Sequence, residues 1–282
     1  MNFLRRLIAS PSSRSQVSEF AKRSFKTSTN HTGSIVESAS TSLVHGIHQF
    51  HCPDVVGILA RLSDCIASKE GNILNADIFV PDNNDVFYSR SEFLFDPAKW
   101  PREQMDADFS KIAKNFNAMK SIVRVPDIDP KYKIAVLASK QDHCLVDLLH
   151  GWQDGRLPID ITSVISGFMQ VLSGDFLKSY NKDIINIHHG LLPSFKGSNP
   201  SKQAFDAGVK LIGATTHFVS EELDSGPIIE QLVERVSHRD NLRTFIQKSE
   251  DVEKRCLAKA IKSYCELRIF PHEANKTVVF RS

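Results

Sequence analysis

Short apolar runs that alternate with amphipathic helical patterns constrain this 282-residue chain more than any other feature of its sequence. Residues 134–138 are apolar without interruption, as a strand buried on both faces should be, and further strands are predicted at 159–165 and 184–187. Helical patterns lie between and after these strands, and the longest covers residues 241–267. This alternation predicts a doubly wound α/β domain over residues 131–282.

A different pattern precedes the proline-bounded linker at 126–130. Residues 43–125 predict the order strand, helix, strand, strand, helix, strand, with a strong turn signal at 81–85. This β-α-β-β-α-β order is typical of a small ferredoxin-like α+β domain. The first helix is predicted to start at Pro53 and Asp54, and its buried face to consist of Val55, Leu59, Leu62 and Ile66.

The first 35 residues have the composition of a targeting segment. They are rich in arginine, lysine and serine, and Glu19 is their only acidic residue. Leu4, Leu7 and Ile8 can form the apolar face of a short basic helix. Such a start is typical of an organellar transit peptide, and its arginine content favours mitochondria over plastids. The alternative is a tail that carries no targeting signal.

Several classes of partner are disfavoured by composition. The formal net charge of +2 is too small to indicate nucleic acid, and no apolar run is long enough to span a bilayer. The five cysteines form no CxxC pair, so free thiols are expected instead of disulfides or a zinc site. His45, His48 and His51 recur at intervals that do not suit metal ligation. Neither nucleic acid, a membrane nor a metal is therefore expected.

Three polar residues at the ends of predicted strands can carry chemistry. An apolar strand runs into Asn186 and His188, whose alternate positions place both side chains on one side of the strand. Asp224 lies downstream in an acidic loop that ends in a tight turn. An amide beside an imidazole suits an oxygen that develops negative charge, and a carboxylate can orient the histidine or activate water. The pattern favours acyl transfer, although two turn residues and a structural histidine would also explain it.

Three ordered motifs closely resemble those of the folate formyltransferase family. They are INIHHGLLP at residues 185–193, GATTHFV at 213–219 and LDSGPII at 223–229. The resemblance implies that Asn186, His188 and Asp224 form the catalytic trio. It further implies substrate-binding positions at Gly190, Leu192, His217 and Met169.

Three features resemble the deformylase branch of that family in particular. They are the paired histidines at 188–189, the segment 229–240 and the amino-terminal unit. The unit at 43–125 would then be an ACT domain, and the domain at 131–282 a formyltransferase-like domain. The implied reaction is hydrolysis of 10-formyltetrahydrofolate to tetrahydrofolate and formate, in one-carbon and purine-linked metabolism. The resemblance implies no cofactor besides the folate substrate, a possible amino-acid effector at the ACT domain, and a homo-oligomer.

One departure from the family pattern stands out. The strand at 159–165 is followed directly by residues that match a later segment of the family. The comparison implies that roughly fifty residues are missing after about residue 166. That length corresponds to one and a half to two βα units. The formyltransferase-like domain is therefore expected to be shortened. Two alternatives to a deformylase remain: a formyltransferase that acts on an amine, and an inactive regulatory splice form that pairs with a longer chain.

Overall fold

A computed structural model describes most of the chain beyond its amino-terminal segment. The described residues are 43–82, 85–197, 199–273 and 275–281. The predicted transit peptide and part of the predicted turn at 81–85 lie outside them. Within the described ranges, no helix has the length and apolar character that crossing a bilayer would require.

The amino-terminal part is a four-stranded antiparallel sheet covered by two helices. Its elements are β1 (Val44–Pro53), α1 (Ile58–Ala67), β2 (Asn72–Phe79), β3 (Val86–Phe95), α2 (Arg102–Asn115) and β4 (Lys120–Arg124). The strand order β2-β3-β1-β4 and the predicted β-α-β-β-α-β sequence are those of a ferredoxin-like arrangement. An aromatic core lies between sheet and helices, formed by Phe50, Phe93, Phe95, Trp100 and Phe109.

The start of the first helix was predicted wrongly. Strand β1 continues to Pro53, which pairs with Val86, so the chain is still in the sheet where the helix was expected to begin. Helix α1 begins at Ile58 after Gly57, whose φ of 95° lies in the left-handed region that glycine tolerates. Val55, on the connecting turn, is consequently 50 % exposed instead of buried.

The carboxy-terminal part combines three small sheets with four helices among the described residues. Its elements are β5 (Tyr132–Ala138), α3 (His143–Gln153), β6 (Ile159–Ser166), α4 (Gly174–Tyr180), β7 (Ile185–His188), α5 (Pro200–Asp206), β8 (Leu211–Phe218), β9 (Ile228–Arg235), α6 (Leu242–Cys265), β10 (Ile269–His272) and β11 (Lys276–Val279). Strands β5 and β6 pair in parallel, whereas β7, β8 and β9 form an antiparallel sheet and β10 and β11 a hairpin.

The predicted doubly wound parallel sheet is therefore present only in the β5–β6 pair. A parallel pair needs a crossover connection of about a dozen residues or more, usually through a helix. Residues 219–227, which join β8 to β9, contain no helix and return the chain in the opposite direction. Strands β8 and β9 consequently pair in antiparallel fashion, β7 and β8 are also antiparallel, and the domain as a whole has mixed α/β character.

The sheet is interrupted between β6 and β7. In the described part of the chain, β6 pairs with β5 and β7 pairs with β8, but no ladder joins β6 to β7. Strand β6 leads directly into Phe168, whose amide donates to the carbonyl oxygen of Ala138 at 2.9 Å. Apolar side chains around this interruption are exposed, with Val164 at 37 %, Ile165 at 53 % and Met169 at 70 %.

Helix α6 packs across the strands that carry the polar motifs. Asn241 caps its first turn by accepting a hydrogen bond from the Thr244 amide at 3.0 Å. Val252 and Cys256, four positions apart on one side of the helix, are fully buried. Ile246 is 36 % exposed, and the buried face includes two polar residues, Ser249 and Glu253. These two side chains face the candidate site.

Candidate active site

The antiparallel pairing of β7 with β8 brings polar side chains from both strands together. Asn186 lies opposite His217, and His188 lies opposite Thr215. Because the side chains of a strand alternate between its two faces, Asn186 and His188 share a face, and His217 lies across from Asn186 on the neighbouring strand. The Asn186 Nδ2 and His217 Nε2 atoms are 3.4 Å apart.

Asp224 reaches this cluster from the loop that follows β8. Its Oδ2 atom lies 3.3 Å from Nδ1 of His188, and its Oδ1 atom lies 3.8 Å from Nε2 of His217. The loop is tight: a Cβ atom on Gly226 would lie 1.8 Å from the Phe218 carbonyl oxygen, so only glycine fits there. This close return of the backbone positions the Asp224 carboxylate, whose side chain is 8 % exposed, against the imidazole.

His188 is buried, with only 4 % of its surface exposed. Its Nε2–H donates to the carbonyl oxygen of Phe195 at 3.0 Å, while Nδ1 faces Asp224. Burial lowers the pKa of His188 below its usual value, and the Asp224 charge and the Phe195 hydrogen bond oppose this shift. The imidazole is therefore biased toward its neutral form, which can both donate and accept a proton.

The loop after β7 is fixed by hydrogen bonds to the sheet. The Thr215 hydroxyl donates to the Gly190 carbonyl at 2.7 Å, and the Leu192 amide donates back to that hydroxyl oxygen at 3.0 Å. Gln231 donates to the Leu192 carbonyl at 2.9 Å. Gly190 allows a close approach, because a Cβ atom there would lie 3.3 Å from His188 Nε2. Of the predicted substrate-binding positions, Gly190, Leu192 and His217 thus lie at or beside the trio.

Met169, the fourth of these positions, lies in the segment that follows β6. Its side chain is 70 % exposed. The segment leads from the β5–β6 pair and not from a strand that borders β7. Met169 consequently sits at the interruption of the sheet.

A second group of side chains was not predicted from the sequence. The buried Glu253 carboxylate accepts hydrogen bonds at 2.6 Å from both His143 Nε2 and His189 Nδ1. The Ser249 hydroxyl donates to its other oxygen at 2.9 Å. The helical period of α6 did not reveal Glu253, because its partners come from distant parts of the chain. The double histidine at 188–189 was the one available signal.

His143, Cys144 and Glu253 place potential metal-ligating atoms within 4.8 Å of one another. The hydrogen bonds already described engage the Glu253 carboxylate, and burial raises the pKa of Cys144 to about 12, which disfavours the thiolate that would bind a metal. The arrangement is therefore better described as a hydrogen-bonded network than as a metal centre.

A buried histidine–aspartate pair beside an amide donor can transfer a proton and stabilise an oxygen that develops negative charge. The profile of the formyl transferase family matches residues 160–261, the region that contains all three of these side chains. The fold and the site thus define a domain of the formyl transferase class.

Similarity over nearly the full chain makes the assignment more specific. The chain is 61 % identical to formyltetrahydrofolate deformylase 2, mitochondrial, from Arabidopsis thaliana, covering 93 % of this chain and 94 % of that protein. It is 33 % identical to the formyltetrahydrofolate deformylase of Bacillus subtilis, covering 81 % of this chain and 91 % of that protein. The chain belongs to the formyltetrahydrofolate deformylase family.

Solved structures agree with this assignment. The crystal structure of a formyltetrahydrofolate deformylase from Pseudomonas syringae pv. tomato superimposes with a TM-score of 0.77 and 33 % identity, covering 86 % of this chain and 96 % of that one. The fold described above is thus shared with a deformylase over 86 % of this chain.

The alignment with the Arabidopsis thaliana protein is longer than the part of this chain that it includes. It extends over 310 positions but includes only 93 % of the 282 residues, which is about 262. About 48 aligned positions, 310 less 262, therefore have no residue in this chain.

Proposed function

We propose that this chain is a deformylase that hydrolyses 10-formyltetrahydrofolate to tetrahydrofolate and formate. The observation that supports this best is the pairing of Asp224 with the buried His188 at 3.3 Å, beside the Asn186 amide and within a member of the deformylase family. No serine or cysteine nucleophile is required, because water is the attacking group.

In the proposed reaction, Asp224 takes a proton from a water molecule while the water oxygen attacks the formyl carbon. The carbonyl oxygen of the substrate becomes an oxyanion, which the amide of Asn186 and the Nε2–H of His188 stabilise. That Nε2–H donates to the Phe195 carbonyl in the resting structure. Cleavage of the bond between the formyl carbon and N10 then releases formic acid, which loses its remaining proton to solvent as formate. N10 takes up the proton that Asp224 took from water. Neither a metal nor a further cofactor takes part in this scheme.

The substrate is proposed to approach along the open side of the trio. Asn186 is exposed there, and Gly190, Leu192 and His217 border it. Met169 would contribute from the segment after β6. Because the sheet is interrupted between β6 and β7, this wall of the folate site is incomplete, and we expect weak folate binding and little turnover in this form of the protein.

The domain organisation forms part of the proposal. The ferredoxin-like unit at 43–125 is proposed to be an ACT domain with an amino-acid effector, in a homo-oligomer. The domain at 131–282 is proposed to be the formyltransferase-like domain, with its missing segment after residue 166. Gln49 of β1 supports coupling of the two, since it donates to the carbonyl oxygens of Leu267 and Ile269 beyond α6.

The protein is proposed to act in mitochondria, because two of its relatives from Arabidopsis thaliana are named mitochondrial formyltetrahydrofolate deformylases. The basic, acid-poor composition of residues 1–35 supports import by a transit peptide.

Formate release separates the proposed activity from its alternatives. The purified chain is incubated with 10-formyltetrahydrofolate without any added amine, and formate is measured. Release of formate supports hydrolysis, whereas turnover only when an amine is added identifies a formyltransferase. The interrupted sheet favours a second candidate, an inactive regulatory form, which would show no turnover under either condition but would co-purify with a longer form of the protein.

A further inference from the structure

A buried carboxylate outside the catalytic trio joins several elements that surround the trio. Glu253 of α6 is 2 % exposed, and its Oε2 atom accepts hydrogen bonds at 2.6 Å from His143 Nε2 and His189 Nδ1. The Ser249 hydroxyl donates to the other oxygen, Oε1, at 2.9 Å. A charge buried this deeply is stable only when it is paired and hydrogen-bonded, so Glu253 and these donors hold one another in fixed positions.

This network reaches both ends of the loop that joins β7 to α5, residues 189–199. His189 begins the loop and donates to Glu253 directly. Beyond the end of the loop, Ser201 of α5 has its hydroxyl oxygen 3.1 Å from that of Ser249. Ser249 has one hydroxyl proton, which Glu253 engages, so Ser201 is the donor to Ser249. Glu253 therefore anchors the loop directly at its start and through Ser249 at its end.

The middle of the same loop contacts two members of the trio. The Phe195 carbonyl oxygen accepts the His188 Nε2–H at 3.0 Å, and the Gly197 amide donates to Asp224 Oδ2 at 3.4 Å. That Oδ2 atom in turn lies 3.3 Å from His188 Nδ1. The loop thus bridges the imidazole and the carboxylate, and their separation depends on where the loop is held.

We propose that Glu253 is a positioning residue for the hydrolysis: by anchoring this loop at both ends, it holds His188 and Asp224 at the distance that the reaction requires. The inference rests on the proposed function, because the pair is positioned for that reaction. Glu253 makes no contact with the substrate in the proposed scheme and acts only through the loop. A misplacement of about 1 Å can lower a reaction rate about a hundredfold, so a remote anchor can matter as much as a group at the reaction centre.

The pKa of His188 shows whether its ring lies beside Asp224. Burial lowers this pKa, and the Asp224 carboxylate opposes the shift because a nearby negative charge favours the protonated ring. The attraction weakens as the two groups separate. Asp224→Asn should therefore lower the pKa of His188 more when the pair is held together than when it is not. The other charged and titratable groups near His188 and His189 are His217 from β8, Glu250 and Glu253 from α6, and His143 from α3.

The test is a double-mutant cycle on the full chain, in which NMR spectra follow the pH titration of the His188 Cε1–H resonance. The four proteins are the wild type, Asp224→Asn, Glu253→Gln and the double variant. Asp224→Asn should lower the pKa of His188 in the wild-type background. In the Glu253→Gln background the shift should be less than about half as large, since coupled residues give non-additive effects. Shifts of equal size in the two backgrounds would overturn the proposal.

Glu230→Gln is the matched control. Glu230 lies on β9, is 6 % exposed and is paired with Lys259 of the same helix, α6, at 3.0 Å. Asp224→Asn should shift the pKa of His188 as much in this background as in the wild type, and a reduced shift here would attribute the effect to general loosening and overturn the proposal. If circular dichroism shows that Glu253→Gln is unfolded, His189→Ala replaces it, because that side chain is 36 % exposed and its loss breaks the direct anchor.

Turnover separates this inference from the proposed function. In a form with measurable turnover, Glu253→Gln should lower kcat about tenfold and leave KM nearly unchanged, because the groups that bind the substrate remain. An unchanged kcat would overturn the inference. A non-additive cycle in a chain that releases no formate from 10-formyltetrahydrofolate refutes the proposed function alone, whereas formate release with an additive cycle refutes this inference alone.

Discussion

Restoring the missing segment should stabilise the protein strongly. The change is insertion after Ser166 of the corresponding residues, about 48, from the Arabidopsis thaliana relative. The inserted strands and helices should fill the interruption between β6 and β7, where neither strand pairs on its open side with any other described residue. Parallel sheets are normally covered on both faces, so the interruption leaves apolar surface in contact with water.

The expected gain follows from the side chains at the interruption. These are Leu137, Val164, Ile165, Met169 and Val171, with exposures of 41, 37, 53, 70 and 70 %. Burying a side chain of this kind completely contributes about 1.5–3 kcal/mol, and about half of each remains to be buried, which gives about 4–8 kcal/mol in total. The inserted strands and helices are expected to offset the cost of their own ordering, about 1–2 kcal/mol per residue, by burying apolar surface of their own. The sum is comparable with the whole stability of a typical domain, about 5–15 kcal/mol.

Thermal melts of both lengths provide the measurement. A gain of 1 kcal/mol raises Tm by about 2–4 °C in a protein of this size, so the longer form should melt at least about 8 °C higher. It should also bind a non-hydrolysable folate analogue more tightly, because the site regains a wall. A flexible Gly/Ser insertion of the same length at the same point is the matched control and should not raise Tm. Equal Tm and equal affinity for the two natural lengths would refute this reasoning.

Four further predictions concern single features. In a form with measurable turnover, Asp224→Asn should abolish hydrolysis because it removes the base, and should leave folate affinity nearly intact. A variant that keeps more than about a tenth of the wild-type rate, a change of only about 1.4 kcal/mol in the activation free energy, would exclude the assigned role. Amino-terminal sequencing of the organellar protein should begin between about residues 24 and 40, and an intact Met1 would refute the transit peptide. Ile159→Ala should cost about 2–5 kcal/mol in chemical denaturation because Ile159 is fully buried, whereas Val164→Ala on the same strand, 37 % exposed, should cost under about 1 kcal/mol. The folded-state pKa of Glu253 is depressed from 4.5 to about 2. The contribution of this carboxylate to the free energy of unfolding should therefore be complete above about pH 4.5 and disappear as the pH falls toward 2. Glu253→Gln should not show this loss.

Much of the fold follows from local patterns in the sequence. The order of elements in residues 43–125 was predictable because alternating strands and helical stripes depend only on the spacing of apolar residues. The strand that carries Asn186 and His188 was predictable for the same reason, and the family motifs directed attention to Asp224. The predicted deletion rests on two segments that are distant in the family but adjoin after residue 166.

Other features depend on contacts between residues that are far apart in the sequence. The start of α1 was misplaced because Pro53 pairs with Val86, a partner 33 positions away. The antiparallel direction of β8 and β9 depends on how the chain between them returns. Helical periodicity marks which side of α6 is buried but does not reveal that Glu253 there meets two imidazoles.

The sequence by itself therefore determined the element order of the amino-terminal unit, the family and the candidate catalytic residues, because each of these is encoded over short stretches. The tertiary structure alone decided which strands pair, that β6 and β7 remain apart, and that Glu253 joins His143 to His189 across 110 positions of chain. The physical reason is that hydrogen bonding and burial in the folded state depend on distance in space, whereas sequence patterns record only distance along the chain.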